Sequence, residues 1–274
     1  MTTTSTKSLT WLNATQFLGA LNDNVLKLLI IYYLIGIHGP SSAGTVSALA
    51  GAAFVLPFLL FAAPAGCLAD RFPKSQVIRV VKLAEVVVTL LAVGTFLAGF
   101  DQALYVIVFL MAAHSAFFAA AKYGVIPEYA EPGGLSRANG LIESFSFMAI
   151  ILGTALASLL ADMLEGRIWL AACVCLAVAV GGYLASRRMS GTLASDSSRH
   201  VALLPTEIFR TLMSIRRDRY LVLTIIGLAW FMFVAAFAQL NLIRFGMEHL
   251  GMSESQSGYL FLAAALGIGL GSLV

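Results

Sequence analysis

Residues 66–78 read Gly66-Cys67-Leu68-Ala69-Asp70-Arg71-Phe72-Pro73-Lys74-Ser75-Gln76-Val77-Ile78. An apolar run over about 44–69 leads into this stretch, and another over about 77–100 leads out of it. Two long apolar segments joined by a few charged and turn-forming residues read as helices that cross a bilayer and return. Gly66 allows a close helix approach. Asp70 suits a helix N-terminus, where the dipole favours an anion, and Arg71 and Lys74 suit the lipid headgroup level.

Working outward, the same pattern repeats. Apolar runs fall at about 13–37, 44–69, 77–100, 102–121, 139–161, 166–186, 219–245 and 255–274. They are continuous rather than alternating, which favours helices over a barrel. The 274 residues are 59% hydrophobic and 11% charged, where a soluble domain carries about 25% charged residues. Such a chain cannot cover its surface with polar groups. This excludes a soluble enzyme, a disordered protein and a nucleic-acid-binding domain, and nucleic acid is not an expected partner. The expected fold class is an all-α membrane protein. Cys67, Cys173 and Cys175 lie in apolar runs without zinc-site spacing and read as packed thiols. The first run is too long for a cleaved signal peptide and contains Asp23 and Lys27, so it reads as a retained span.

The basic residues set the topology. Lys7, Arg71, Lys74, Arg79, Lys122, Arg137, Arg187, Arg188, Arg199, Arg210, Arg216, Arg217 and Arg219 gather on one side, whereas the other side holds only Arg167 and Arg244. The positive-inside rule then predicts a cytoplasmic N-terminus. The loop over about 187–218 separates six spans from two more. Within it Leu204, Ile208, Leu212 and Ile215 recur at helical spacing, which fits either an amphipathic helix on the leaflet or a solvated linker helix. The divisions expected are a six-span bundle over 1–186, a basic linker over 187–218 and two further spans over 219–274. The sequence ends inside an apolar run, so a transporter cut short is expected.

The first span carries the most chemistry. Asn13, Gln16, Ala20, Asp23 and Lys27 share one helix face. Asp23 falls about ten residues into the run, roughly 15 Å at the helical rise and near the bilayer midplane. An ionised side chain there costs at least about 2.5–3.5 kcal/mol, so the stripe must meet a wet cavity or a partner. A substrate or coupling site at Gln16, Asp23 and Asn24 is one reading; a self-neutralising Asp23–Lys27 pair is the other. Glu143 reads as a cavity or gating residue or as an ion-pair partner of Lys122 or Arg137. Lys27, Lys122 and Arg244 are candidates for headgroup or gating contacts; Arg244 reads either as a phosphate contact, because a guanidinium suits phosphate, or as an anchor at the outer interface. Lys82 and Glu85 read as a snorkelling, self-paired couple, and His114 as a lone, hydrogen-bonded packing residue. Small residues at spacings of four (Ala149, Gly153, Ala157 and Ala161; Gly44, Ala48 and Ala52; Gly267 and Gly271) predict close helix contacts. No nucleophile elbow, phosphate loop or metal-ligand cluster is present, and neither enzymatic activity nor a cofactor is expected.

The stretch from Gly66 to Ile78 closely resembles the G-x-L-A-D-R-x-x-K-x-x-x-I signature of the major facilitator superfamily, with only the final hydrophobe offset. The resemblance implies a conformational latch made of Gly66, Asp70, Arg71 and Lys74. Gln16-Phe17-Leu18-Gly19-Ala20-Leu21-Asn22-Asp23-Asn24 is similar to the first span of bacterial lysophospholipid transporters. So are Ala121-Lys122-Tyr123-Gly124-Val125-Ile126-Pro127-Glu128 and Arg137-Ala138-Asn139-Gly140-Leu141-Ile142-Glu143 to that family's fourth-to-fifth-span region. The seventh and eighth runs resemble versions fused to a glycerophospholipid acyltransferase. The resemblance implies a major facilitator bundle, its six-helix N-terminal half plus the first two helices of the second half. It also implies movement of lysophospholipid, lysophosphatidylethanolamine above all, to the inner leaflet of the bacterial cytoplasmic membrane by alternating access. The partners it implies are membrane lipid, the lysophospholipid and an acyltransferase, fused or separate. Two rival readings are a proton-coupled exporter of drugs or small solutes, with Asp23 or Glu143 as carrier, and a membrane anchor for a fused acyltransferase.

Overall fold

A computed structural model describes residues 2–195 and 213–251, with positions 260, 263, 267 and 271 beyond them. The regular structure among the described residues is helical: α1 (Thr2–His38), a 3-10 turn (Pro40–Ser42), α2 (Ala43–Arg71), α3 (Lys74–Ala98), α4 (Ala103–Tyr129), α5 (Leu135–Met163), α6 (Ile168–Arg187) and α7 (Arg219–His249). Six of these, α1 to α6, are long and apolar enough to cross a membrane. Helices are the form that satisfies every backbone amide without water. α2 and α4 tolerate internal prolines at Pro57, Pro64 and Pro127. α3 stops at Gly99, whose left-handed φ of 67° directs its amide back to the Thr95 carbonyl. The seventh apolar run is α7. Most of the eighth, and Leu204, Ile208 and Leu212 of the expected amphipathic helix, lie outside the described residues.

α1 is the hub of the bundle, against α5 on one side and α6 on the other; α3 packs on α4 and α6, and α2 on α4. Two apolar cores result. One joins Leu26, Leu29, Ile30 and Leu34 of α1 to Phe96 of α3 and Leu104, Val108 and Met111 of α4. The other lies nearer the end that carries the basic residues and joins Leu12, Ile78, Ala121, Val125, Ile126 and Ile142. Between them α1, α3 and α4 bring buried polar side chains into one layer: Gln16, Asn22, Lys82, Glu85, Thr89, His114 and Lys122. Outward faces are apolar, as at Leu59, Leu60, Val80 and Leu90, which is what a lipid-solvated bundle presents.

The small-residue stripes divide. Ala149, Gly153 and Ala157 are buried on α5, and a β-carbon on Gly153 would press on Asn24 at 3.1 Å and on the Leu21 carbonyl at 3.3 Å. That stripe seats α1 as expected. Gly44, Ala48 and Ala52 are exposed, and α2 instead buries Val46, Ala50 and Pro57. A β-carbon on Gly66 would meet nothing within 4 Å, so the close approach expected there is absent from this arrangement. Gly267 and Gly271 are likewise exposed.

Candidate functional site

The polar layer encloses a cavity of about 180 Å³ lined by Gln16, Gly19, Ala20 and Asp23 of α1, Phe58 of α2, Lys82 of α3, and His114, Ser115, Phe118, Ala119 and Lys122 of α4. Asp23 lies at the middle of the span Lys7–His38. Its Oδ2 accepts a hydrogen bond from the Ser115 hydroxyl. Its Oδ1 is 3.8 Å from His114 Nε2, and both atoms are buried without a hydrogen-bond partner. A carboxylate left half-satisfied at this depth is poised for a further donor.

Behind it lies a sealed ion pair. Lys82 Nζ meets Glu85 Oε2 at 2.7 Å, with side chains 3% and 1% exposed. Asn22 donates to Glu85 Oε1 at 3.0 Å, and the Lys82 ammonium stands 4.4 Å from the centre of the Phe118 ring. A buried pair needs such extra partners, because its own attraction barely offsets desolvation. With Lys82 and Glu85 cancelling, Asp23 and Lys122 set the charge of the cavity. Lys122 is 6% exposed, sits over the Tyr123 ring at 4.3 Å, and has no carboxylate within ion-pair distance among the described residues.

At the basic end the turn between α2 and α3 is held by the chain that follows α6. Lys74 Nζ binds Glu128 Oε1 of α4 at 2.8 Å and also donates to the Ser195 hydroxyl. The Lys74 stem lies on Gly124, where a β-carbon would meet it at 3.0 Å. Ser195 N donates to the Asp70 carbonyl at 3.0 Å. Ser75 and Thr192 exchange two hydrogen bonds, amide to hydroxyl, at 3.0 and 3.1 Å. Arg79 Nη2 donates to the Met189 carbonyl at 2.6 Å, Ser190 N donates to Ser8 Oγ at 3.1 Å, and Arg188 stacks 4.8 Å from Trp11. Residues 188–195 thus form a strap that ties the ends of α1, α3 and α4 together.

Comparison with known proteins identifies this architecture. The sequence profile described as Major Facilitator Superfamily matches residues 12–274. The chain belongs to the major facilitator superfamily. It is 27% identical over 265 residues to the lysophospholipid transporter LplT of Citrobacter koseri, covering 94% of this chain and 63% of that protein. It is 25% identical over 269 residues to the same-named protein of an Enterobacter species, covering 97% and 65%. A Photorhabdus laumondii lysophospholipid transporter is 32% identical over 148 residues, 54% of this chain and 35% of that protein. The chain therefore spans less than two thirds of the length of the first two relatives. The family match and the six apolar helices make this a multi-pass membrane protein of that superfamily.

Gln16, Asp23 and Lys122 converge on one cavity. Asn24 turns instead to α5, donating to the Ile150 carbonyl at 2.8 Å and to Thr154 Oγ1 at 3.0 Å. Gln16 also reaches α5, donating to Ser146 Oγ at 2.6 Å. Lys27 is not the ion-pair partner of Asp23; it lies over the Phe54 ring at 4.7 Å. Glu143 accepts from the Tyr123 hydroxyl rather than pairing with Lys122 or Arg137. His114 is not alone, since Asp23 and Ser115 face it. Lys82 and Glu85 do pair, but fully buried rather than snorkelling, because α1, α4 and α6 close over that face of α3. Lys74 is buried against Glu128 rather than at headgroup level. Asp70 stands in the last turn of α2, not at a helix N-terminus. The side chain of Arg244 lies outside the described residues. Ser115, Asn22, Thr89 and Gly19 were not singled out by sequence. The usable signal for Ser115 was a hydroxyl beside a histidine in an apolar run; Gly19 carries none, since only the fold shows what occupies its missing side chain.

Proposed function

We propose that the complete protein moves lysophospholipid, lysophosphatidylethanolamine in particular, from the outer to the inner leaflet of the bacterial cytoplasmic membrane by alternating access. The observation that carries this is the Asp23 carboxylate, which faces a buried cavity with one oxygen unpartnered and Lys122 on the same wall. One carboxylate and one ammonium in a desolvated cavity complement a zwitterionic headgroup: Lys122 takes the phosphate and Asp23 the headgroup ammonium. Gln16 orients the glycerol, and acyl chains stay against apolar walls and lipid. The names of the relatives support the substrate class. Asn24 acts here by fixing α1 to α5, and Glu143 by holding Tyr123 beside Lys122. Lys27 and Arg244 serve as headgroup or gating contacts. Gly66, Asp70, Arg71 and Lys74 form the latch at the cytoplasmic end, where the positive-inside rule sets the N-terminus. The working units are a six-span bundle over 1–186, a linker over 187–218 and the start of a second bundle over 219–274. A glycerophospholipid acyltransferase, fused or separate, then restores the diacyl lipid.

A second reading, a proton-coupled exporter, is favoured by the His114–Asp23 approach at 3.8 Å. Uptake and acylation of labelled lysophosphatidylethanolamine in spheroplasts, with and without Asp23→Ala, separates the two. Uptake that needs Asp23 supports the lipid reading. No uptake by the unmodified protein would sink it, and pH-gradient-driven efflux of an unrelated solute would favour the exporter.

A further inference from the structure

A second cavity, about 310 Å³, opens at the basic end between the first turns of α1, the end of α4 and the start of α5. Asn13, Glu131 and Arg137 supply its polar wall. Asn13 is 6% exposed, and its Oδ1 is buried without a hydrogen-bond partner. A buried acceptor left without a donor is unfavourable, and a ligand's donor removes that penalty. Arg137 occupies the first turn of α5, where the helix dipole disfavours a cation. The α5 N-cap, Gly134, offers no side-chain hydrogen bond, so the opening amides of this helix and the Arg137 guanidinium make a place for an anion. No carboxylate lies within ion-pair distance of Arg137 among the described residues. Glu131 brings a negative charge to the same wall, and Leu9 and Leu141 bring apolar surface.

We infer that this cavity is a second binding site for a zwitterionic phosphodiester, the glycerophosphoethanolamine type of headgroup. Arg137 and the α5 amides hold the phosphate; Asn13 Oδ1 and Glu131 accept from the ammonium. The inference rests on the lysophospholipid reading and deepens it. Asn13 shares the α1 face with Gln16 and Asp23, about 15 Å short of Asp23 along the helix. A headgroup leaving the central cavity toward the basic end therefore meets Asn13 next, and the site is a station on the exit side.

The test places a reporter thiol at Thr10, an exposed residue on the rim. The protein carries Thr10→Cys with its three native cysteines replaced by alanine, and alkylation of the thiol is timed. Soluble glycerophosphoethanolamine at ten times its dissociation constant is expected to slow alkylation about tenfold. Protection should vanish in Arg137→Gln, persist in part in Arg137→Lys and be unchanged in Asp23→Asn. Vesicles containing lysophosphatidylethanolamine form the second arm. Protection by them as well makes the lipid the source of the ligand; protection by the soluble diester alone makes the free diester the source, and either result supports the site. No protection in both arms overturns it, as does protection that survives Arg137→Gln or is matched by inorganic phosphate. Lysolipid uptake is measured separately on the same protein, so loss of the transport reading and loss of this site are told apart.

Discussion

The Lys82 ammonium occupies the place that a β-carbon on Gly19 would fill. α1 has no side chain at that point, so α3 can press a charged group against its backbone. Gly19 lies one turn before Asp23, and both line the central cavity with Lys82. The glycine thus decides how near the Lys82–Glu85 pair approaches the Asp23 carboxylate, and it fixes the pair under the Phe118 ring.

Gly19→Ala is therefore expected to push the ammonium out of its seat. Overpacking of this kind costs about 1–3 kcal/mol, partly offset by the roughly 1 kcal/mol that alanine gains over glycine in a helix. A modest fall in thermal midpoint in detergent should accompany, on the proposed transport reading, a larger fall in lysolipid uptake by the complete protein. In a Lys82→Ala background the added methyl has room, so the two changes should couple by about 1 kcal/mol or more. Purely additive effects would show that the glycine matters for another reason.

Asp23→Asn keeps the shape and can still accept from Ser115. It removes the charge that faces the cavity. Uptake is expected to fall at least about tenfold, the equivalent of 1.4 kcal/mol, while the melting transition stays within the small range of a neutral substitution. A protein that loses uptake and fold together would point to a structural carboxylate instead.

How much of this was legible in the sequence follows from what each residue's signal depends on. The spans depended on composition and length alone, and all six of the bundle are where the apolar runs lie, with ends extended by up to a few turns. Asp23 stood out because a charge in an apolar run has no cheap explanation. Its partners were hidden: an i, i+4 lysine is visible along one helix, but Ser115 and His114 come from α4, and pairing across helices depends on rotations that one sequence does not encode. The Lys82–Glu85 couple was visible as a pair yet misjudged in depth, because spacing along α3 does not reveal which face the neighbours cover. The strap was invisible, since its serines and threonine look like any polar linker until their partners on α3 and α4 are known.

Removing one member of the buried pair should be far worse than removing both. Lys82→Met leaves Glu85, fully buried, without its counter-charge, at a cost of about 3–5 kcal/mol. Lys82→Met with Glu85→Leu removes both charges and should recover most of that loss, since apolar replacements of similar volume are often neutral. Asn22 then loses its acceptor at Glu85 but keeps its contact with Thr89 at 3.3 Å. Thermal unfolding of the two single variants and the double variant measures this; a double variant no more stable than the worse single one would contradict the assignment.

The strap makes a prediction about the start of α3. That helix has Pro73 at its N-cap and no capping side chain of its own, and the Ser75 amide is capped from the far side of the bundle by Thr192 Oγ1 at 3.0 Å. Thr192→Val keeps the volume and removes the acceptor. Loss of a cap costs about 1 kcal/mol, and here the cost falls on the closed strap rather than on the whole bundle, because residues 188–195 can lift off while α1 to α6 stay packed. Local opening of that size raises the population of the open segment about fivefold. Trypsin cleavage after Arg188, which stacks on Trp11 in the closed form, should accelerate by a similar factor in folded protein, with the thermal midpoint nearly unchanged. Ser75→Ala leaves the cap to α3 in place and removes the return bonds that Ser75 Oγ accepts from the Thr192 amide at 3.1 Å and the Thr192 hydroxyl at 3.3 Å, so its acceleration should be smaller. Equal acceleration by the two variants would mean that the strap is held by its other contacts, at Arg79 and Lys74, and that Thr192 does not cap α3.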